Sequence, residues 1–283
     1  MRILIIGSNG LLGSDLVEDW PGDIILPTTS RDADIREIAQ VRKLVHRAHP
    51  DWIILAAGYT DVDGSEQNAD MAFAVNRDGA RNVSIVARER GAKLCYLSTD
   101  YVFDGASDHP YEPDAPVRPL NVYGASKAAG EQAVQAQAGH WLIARTSWLF
   151  GASKSCFPEK ILRAADSQPE LKVVADQIGS PTYTRDLAAA ICGLVQADAR
   201  GILNITNSGS CSWFEFAKET LRGSGRNISI SPITSIQAAR PARRPSYSVL
   251  SPKALATHGI TLRTWQEALA AYLIELRRMG KLN

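Results

Sequence analysis

RILIIGSNGLLG, residues 2–13, is the stretch on which the reading of the fold turns. Four consecutive aliphatic residues, Ile3 to Ile6, suit a short strand covered on both faces, where neither side meets water. Gly7, Gly10 and Gly13 follow at once and lead into a helix. Glycines here permit a tight turn and a close approach of backbone to a pyrophosphate, while the helix start offers free N–H groups and its positive dipole end. The spacing is G-x-x-G-x-x-G, not the commoner G-x-G-x-x-G, and a ligand-free turn is the alternative reading. The place of the triplet between strand and helix favours a dinucleotide.

Outward from this unit the pattern repeats. Apolar segments at 2–7, 23–27, 51–57, 92–98 and 140–146 alternate with stretches of helical period at 35–48, 69–90 and 125–138. Such alternation predicts an α/β fold with a doubly wound, Rossmann-like parallel sheet. Beyond residue 150 the rhythm loosens. Strands are expected at 171–175 and 201–206, and a helix at 184–196. An extended, proline-bearing segment is expected at 232–252. An amphipathic helix at 264–279 would be capped by Thr264 and Glu267, with Trp265, Leu269, Leu273 and Leu276 facing a core. The expected division is a dinucleotide-binding domain at 1–150, to which 184–206 returns, and a smaller, discontinuous substrate lobe at 151–183 and 207–283.

Composition narrows the function. The 283 residues are 45% hydrophobic with a formal net charge of +1, so bulk charge recruits neither nucleic acid nor an anionic membrane. The densest basic run, RPARR at 240–244, is too short for a nucleic-acid patch but leaves room for a local anion contact. No apolar run has the length of a membrane span, and no cleavage-site pattern follows the first strand. Cys95, Cys156, Cys192 and Cys211 are scattered and read as reduced thiols, so the chain is expected to be cytoplasmic. His46, His49, His109, His140 and His258 show no ligand spacing, and no metal site is expected.

The end of the second strand bears on which dinucleotide is bound. An acidic residue there would accept from the ribose 2′-OH of NAD. This chain has Thr28, Thr29, Ser30 and Arg31 instead. Hydroxyls and a guanidinium suit a 2′-phosphate, so NADPH is expected ahead of NADH, with Asp32 and Asp34 close enough to oppose that preference.

NVYGASK, residues 121–127, sets Tyr123 and Lys127 one helical turn apart. Taken alone, such a pair fits a solvated helix face. It follows LSTDYVFDG (97–105), where Thr99 would be delivered at the carboxyl end of a strand, the side on which open α/β sheets bind ligands. The three residues suit carbonyl reduction. A ketone taking up hydride develops an alkoxide and needs a proton donor. A nearby ammonium would lower the tyrosine pKa, and Thr99 could hydrogen-bond the oxygen on which charge builds.

These motifs resemble the extended short-chain dehydrogenase/reductases. The segments STDYVFDG (98–105), PLNVYGASKAAGE (119–131), RTSWLFG (145–151), DQIGSPTYTRDLA (176–188), GSCSWFEFAKE (209–219) and RRPSYSVL (243–250) are similar to the dTDP-4-dehydrorhamnose reductase branch, in that branch's order along nearly the whole chain. The resemblance implies reduction of the C4 ketone of dTDP-4-dehydro-6-deoxy-L-mannose to dTDP-L-rhamnose. It implies Tyr123 as general acid, Lys127 on the nicotinamide ribose, and Thr99 on the substrate oxygen. Cofactor contacts carry over to Gly7, Gly10, Leu11, Leu12, Asp34, Ile35 and the triplet Gly58, Tyr59, Thr60, and Gly13 joins them from the glycine loop. Substrate contacts carry over to Thr99, Asp100, Tyr101 and Trp148, with Arg244 a natural diphosphate partner.

Each carry-over has a plainer counterpart. Asp34 would otherwise cap the next helix, Trp148 would be core, and Arg244 would brace a loop. The chain departs from the branch where Cys156-Phe157 replaces Asn-Phe and where DVDGSE (61–66) lacks a basic residue. Some relatives dimerise through magnesium held by acidic side chains. With Asp15 but Arg185 at the positions concerned, that mode is not expected here, and a monomer or weak homodimer is. Two other readings share these residues. One is a reductase of another 4-keto-6-deoxy nucleotide sugar. The other is a non-catalytic protein similar to the regulatory subunit of methionine adenosyltransferase.

Overall fold

The computed structural model describes residues 1–282. A six-stranded sheet forms its centre, with β1 (Arg2–Ile6), β2 (Ile24–Thr28), β3 (Trp52–Leu55), β4 (Lys93–Thr99), β5 (Trp141–Thr146) and the strand Gly201–Asn204. The spatial order is Gly201–Asn204, β5, β4, β3, β1, β2, and every neighbouring pair is parallel. The order reverses at β1, which pairs with β2 on one side and β3 on the other. A crevice for ligands opens at such a switch point, beyond the carboxyl ends of the strands.

The unbroken apolar run of β1 has a direct cause. Ile3 and Ile5 join one core with Leu12 and Leu16 of α1 (Leu11–Glu18) and with Leu187, Ile191 and Leu194. Leu4 and Ile6 join another core, with Val41, Leu44 and Val45 of α2 (Ile38–Ala48) and with Val83. Successive side chains of a strand point to opposite faces, so a strand between two helical layers must be apolar at every position.

Three expectations are corrected. The helix read at 35–48 begins at Ile38, because Asp34 turns back on Arg36 and accepts its backbone N–H at 3.0 Å. The helix read as continuous over 69–90 is three segments: α4 (Ala69–Phe73), a π-helical turn over Ala74–Gly79, and α5 (Ala80–Arg90). The segment 232–252 is not wholly irregular. Its start lies in the strand Ser229–Ile233, which pairs with Glu170–Val174, and a helical turn Ser235–Ala238 follows. Pro232 is tolerated because this is a two-stranded sheet, whose edges accept residues without an N–H.

A third core gathers Phe150, Tyr183, Phe216, Trp265, Leu269, Leu273 and Leu276. The last four-residue stripe comes from the C-terminal helix Trp265–Arg278, started by the expected capping box of Thr264 and Glu267. No helix among the described residues is long and apolar enough to cross a membrane.

Candidate active site

The glycine loop is tied to the sheet by its backbone. Gly7 and Ser8 N–H groups donate to the Thr28 carbonyl at 2.9 Å, and Gly10 N–H to the Gly7 carbonyl at 2.9 Å. Gly7 has φ of +93°, a conformation costly for any residue with a side chain. A Cβ on Gly13 would lie 2.1 Å from the Gly7 carbonyl oxygen, so only glycine lets α1 start this close to the turn. Gly10 caps α1 with no side-chain hydrogen bond, which leaves the N–H groups at Leu11, Leu12 and Gly13 without a side-chain acceptor. The loop fits a pyrophosphate on these grounds.

At the end of β2, Thr28 is buried and its hydroxyl donates to the Ile5 carbonyl at 2.9 Å, so it is committed to the sheet. Arg31 is exposed. The two acids that would oppose a 2′-phosphate are both engaged. Asp32 accepts from the Thr29 N–H at 2.8 Å and the Thr29 hydroxyl at 3.1 Å, and Asp34 is ion-paired with Arg36 at 2.5 Å. Ile35 is buried in the core beneath them.

After β3 the chain runs through Gly58, Tyr59 and Thr60 into α3 (Val62–Gln67). Asn76, buried within the π-helical turn, holds this loop. Its Oδ1 accepts from Tyr59 N–H at 2.8 Å, and its Nδ2 donates to the Tyr59 carbonyl at 3.0 Å and to Ser126 Oγ at 2.9 Å. These partners lie 17 and 50 residues away, so nothing local in the sequence marks Asn76. π-turns occur often at functional positions.

The next helix, α6 (Val122–Gln137), carries Tyr123 and Lys127. It starts three residues earlier than its apolar period suggests, because Asn121 caps it by accepting from Gly124 N–H at 2.8 Å. A Cβ on Gly124 would lie 2.1 Å from the Tyr101 carbonyl oxygen, so glycine lets the first turn meet the loop after β4. Tyr101 and Tyr123 consequently meet edge to face, with ring centroids 5.9 Å apart. Thr99 Oγ1 donates to Asp100 at 3.1 Å, and Ser248 donates to the other oxygen of Asp100 at 2.6 Å. Burial raises the Asp100 carboxyl to about 7.

Lys127 is 5% exposed, which excludes a solvated helix face. Its ammonium donates to the Leu97 carbonyl at 2.5 Å and lies 4.1 Å from the Tyr96 ring centroid. Burial lowers its pKa to about 7, against an upward pull from Glu131. Tyr123 does not follow the expected direction. Burial raises it to about 12, opposed by the Thr99 hydroxyl and assisted by Asp100. Burial outweighs the lysine here, whose ammonium is bonded to the Leu97 carbonyl and lies over the Tyr96 ring.

A cleft of about 1470 Å³ is lined by Thr60, Asp63, Phe157, Lys160, Trp213 and Arg244, among others. Trp148, half-buried with φ of +47°, stacks on Trp213 of the cleft wall with centroids 3.5 Å apart. Arg244 is bound by Asp63, a partner that sequence reading missed. Cys156 sits at the start of the helix Phe157–Ala165 and turns its sulfur inward, 3.4 Å from Tyr272 Oη. Away from the cleft, Arg185 fills the middle of an acidic group, 2.5 Å from Asp19, 3.1 Å from Glu18 and 2.7 Å from Glu275.

Comparison with known proteins agrees with this geometry. The family model described as the RmlD substrate binding domain matches residues 1–278. A dTDP-4-dehydrorhamnose reductase of Mycobacterium tuberculosis is 40% identical over 282 aligned residues, covering 96% of this chain and 92% of that protein. A dTDP-4-keto-6-deoxy-D-glucose reductase of Streptomyces niveus is 38% identical, covering 95% of each. The crystal structure of dTDP-4-dehydrorhamnose reductase from Bacillus anthracis, in complex with NADP, superposes with a TM-score of 0.95 at 39% identity, covering 97% of this chain and 99% of that one. With a family model matching residues 1–278 and a relative 40% identical along nearly its whole length, the chain belongs to the RmlD substrate binding domain family.

Proposed function

We propose that the protein is an NADPH-dependent reductase that converts the C4 ketone of dTDP-4-dehydro-6-deoxy-L-mannose to the alcohol of dTDP-L-rhamnose. The observation that supports this reading is that Thr99 ends β4 within hydrogen-bonding reach of Tyr123 on α6, while Lys127 of the same helix reaches the Leu97 carbonyl of β4, at the end of the sheet where the glycine loop also lies. When bound, NADPH supplies the hydride. Leu11, Leu12 and the glycines would hold its pyrophosphate, Arg31 its 2′-phosphate, and Gly58, Tyr59 and Thr60 would border it beyond β3. Lys127 would hold the ribose once its ammonium exchanges the Leu97 carbonyl for ribose hydroxyls. Asp34 and Ile35 would flank the base.

The chain's own part in the chemistry is proton delivery. Tyr123 Oη gives its proton to the C4 oxygen as negative charge builds there, and its high pKa keeps it protonated until that moment. Thr99 fixes the orientation of the same oxygen, with its hydroxyl held by Asp100. Tyr101 and Trp148 border the sugar, and Arg244 neutralises the diphosphate. Residues 1–150 with 184–206 would serve the cofactor, and 151–183 with 207–283 the sugar nucleotide.

The Streptomyces relative favours a second reading within the same chemistry, reduction of a different 4-keto-6-deoxy sugar. Pocket shape, not the Thr–Tyr–Lys cluster, separates the two. The test is oxidation of NADPH, followed at 340 nm, with each 4-keto sugar nucleotide in turn. Turnover with dTDP-4-dehydro-L-rhamnose above the other sugars supports the first reading. Faster turnover with another sugar replaces it with the second. A folded protein that binds NADPH and oxidises it with neither would be a binding protein on a reductase fold.

A further inference from the structure

Behind the reacting side of α6 lies a charged group that proton delivery does not use directly. Glu131, one turn beyond Lys127, is 2% exposed. Its Oε1 accepts from the Ser98 hydroxyl at 2.5 Å and from Arg145 Nε at 2.9 Å, and its Oε2 accepts from Arg145 Nη2 at 2.7 Å. Arg145 is also 2% exposed. It donates through Nη1 to the Pro113 carbonyl at 2.8 Å, and its guanidinium carbon lies 5.1 Å from the Phe103 ring centroid. Ser98 and Arg145 are register partners on β4 and β5, so both reach the carboxylate from one face of the sheet.

The position of Ser98 gives this network its meaning. Ser98 immediately precedes Thr99, while Glu131 is on the helix that carries Tyr123 and Lys127. One buried hydrogen bond therefore joins the strand end bearing Thr99 to the helix bearing the tyrosine and lysine. Lys127 donates to the Leu97 carbonyl one residue before Ser98, so the helix grips β4 at two successive residues. A carboxylate needed only to neutralise Arg145 could do so without the serine.

We propose that Glu131, acting through Ser98, is a positioning residue that sets the register of Thr99 against Tyr123 and Lys127. This rests on the reductase reading of the site. Small displacements of groups that must align in the transition state cost large factors in rate, about a hundredfold for an ångström.

Removing Glu131 strands a buried guanidinium and endangers folding, so the test uses Ser98→Ala, which leaves the ion pair whole. Wild type and variant are compared in the full chain for kcat, for NADPH affinity by fluorescence titration, and for the primary isotope effect with 4-deuterated NADPH. The expected result is a kcat lower by about ten- to a hundredfold, an NADPH Kd within about twofold of wild type, and a larger isotope effect on kcat as the chemical step becomes limiting. A mere loss of active protein would leave the isotope effect where it was. A kcat within about twofold of wild type overturns the inference, and so does a parallel loss of NADPH binding, which would give the serine a structural part only. A wild type that binds NADPH but turns over no keto sugar overturns the reductase reading first, and the inference with it.

Discussion

Asp63 grips Arg244 with both carboxylate oxygens, accepting from Nη1 and from Nη2 at 2.9 Å each. The two residues come from distant parts of the chain, Asp63 from α3 just past the Gly58–Thr60 loop and Arg244 from the segment around 238–246, and both line the cleft. Arg240 stands 3.9 Å from the same carboxylate. Where DVDGSE lacks a basic residue, the chain thus supplies an acid that aims one. Arg244→Ala should raise KM for the sugar nucleotide by about ten- to a hundredfold with kcat little changed, the signature of lost charge-assisted binding shared by ground and transition states. Steady-state kinetics at saturating NADPH check this. An unchanged KM would leave Arg244 as a brace for Asp63.

Tyr123→Phe removes one oxygen and leaves the aromatic contact with Tyr101 intact. Turnover should fall by about 10²- to 10⁴-fold, while NADPH binding, measured by fluorescence, stays near the wild-type value. A variant with near-normal turnover would rule out Tyr123 as the proton donor.

Arg31 is the exposed cation at the end of β2, and Asp32 and Asp34 are turned to Thr29 and Arg36. Arg31→Ala should weaken NADPH by about tenfold or more, the worth of a charge-assisted hydrogen bond, and leave NADH affinity unchanged. Equal weakening of both cofactors, in parallel titrations, would show that Arg31 does not read the 2′-phosphate.

Asp15 on α1 is 4% exposed, and its Oδ2 has no hydrogen-bond partner among the described residues. Burial raises its pKa from 3.8 to about 6, with Thr184 and Arg185 opposing. Between these values the folded protein keeps a proton that the unfolded chain has released, so this group's contribution to stability declines as pH rises and is lost above about 6. Asp15→Asn should therefore stabilise the protein at pH 8, by up to about 3 kcal/mol, and do little at pH 4. Urea unfolding followed by tryptophan fluorescence at the two pH values measures the difference.

The parts of the fold legible in the sequence are those where burial acts on one residue at a time. The β1 run, the glycine turn and the helix at 184–196 follow from local apolarity and conformational preference, and each lies where the residues predict. The interruption at Ala74–Gly79 was not legible. The π turn is held by Asn76 meeting Tyr59 and Ser126, residues 17 and 50 positions away, and by Tyr96 donating to the Asn76 carbonyl. Likewise Tyr123 and Lys127 could be placed on one helix face from their spacing, but the lysine's attachment to Leu97 depends on how α6 docks on β4. Two-residue pairings such as Leu149–Phe150 with Thr182–Tyr183 leave no periodic trace at all.

Asn76 meets Tyr59 as a neighbouring strand would, offering an acceptor to its N–H and a donor to its C=O. Its carboxamide is in effect a borrowed peptide group, which extends the pairing of the chain beyond the last residue of β3 without adding a strand. A carboxylate in its place offers two acceptors and no donor, so Asn76→Asp would set oxygen against the Tyr59 carbonyl and against Ser126 Oγ at once, unless it were protonated. An aliphatic residue would leave the Tyr59 N–H and C=O with nothing to replace the lost partner. The loop proposed to border the cofactor is thus held in shape by a side chain that mimics backbone, and the α4–α5 helix is broken at the place where that side chain has to stand.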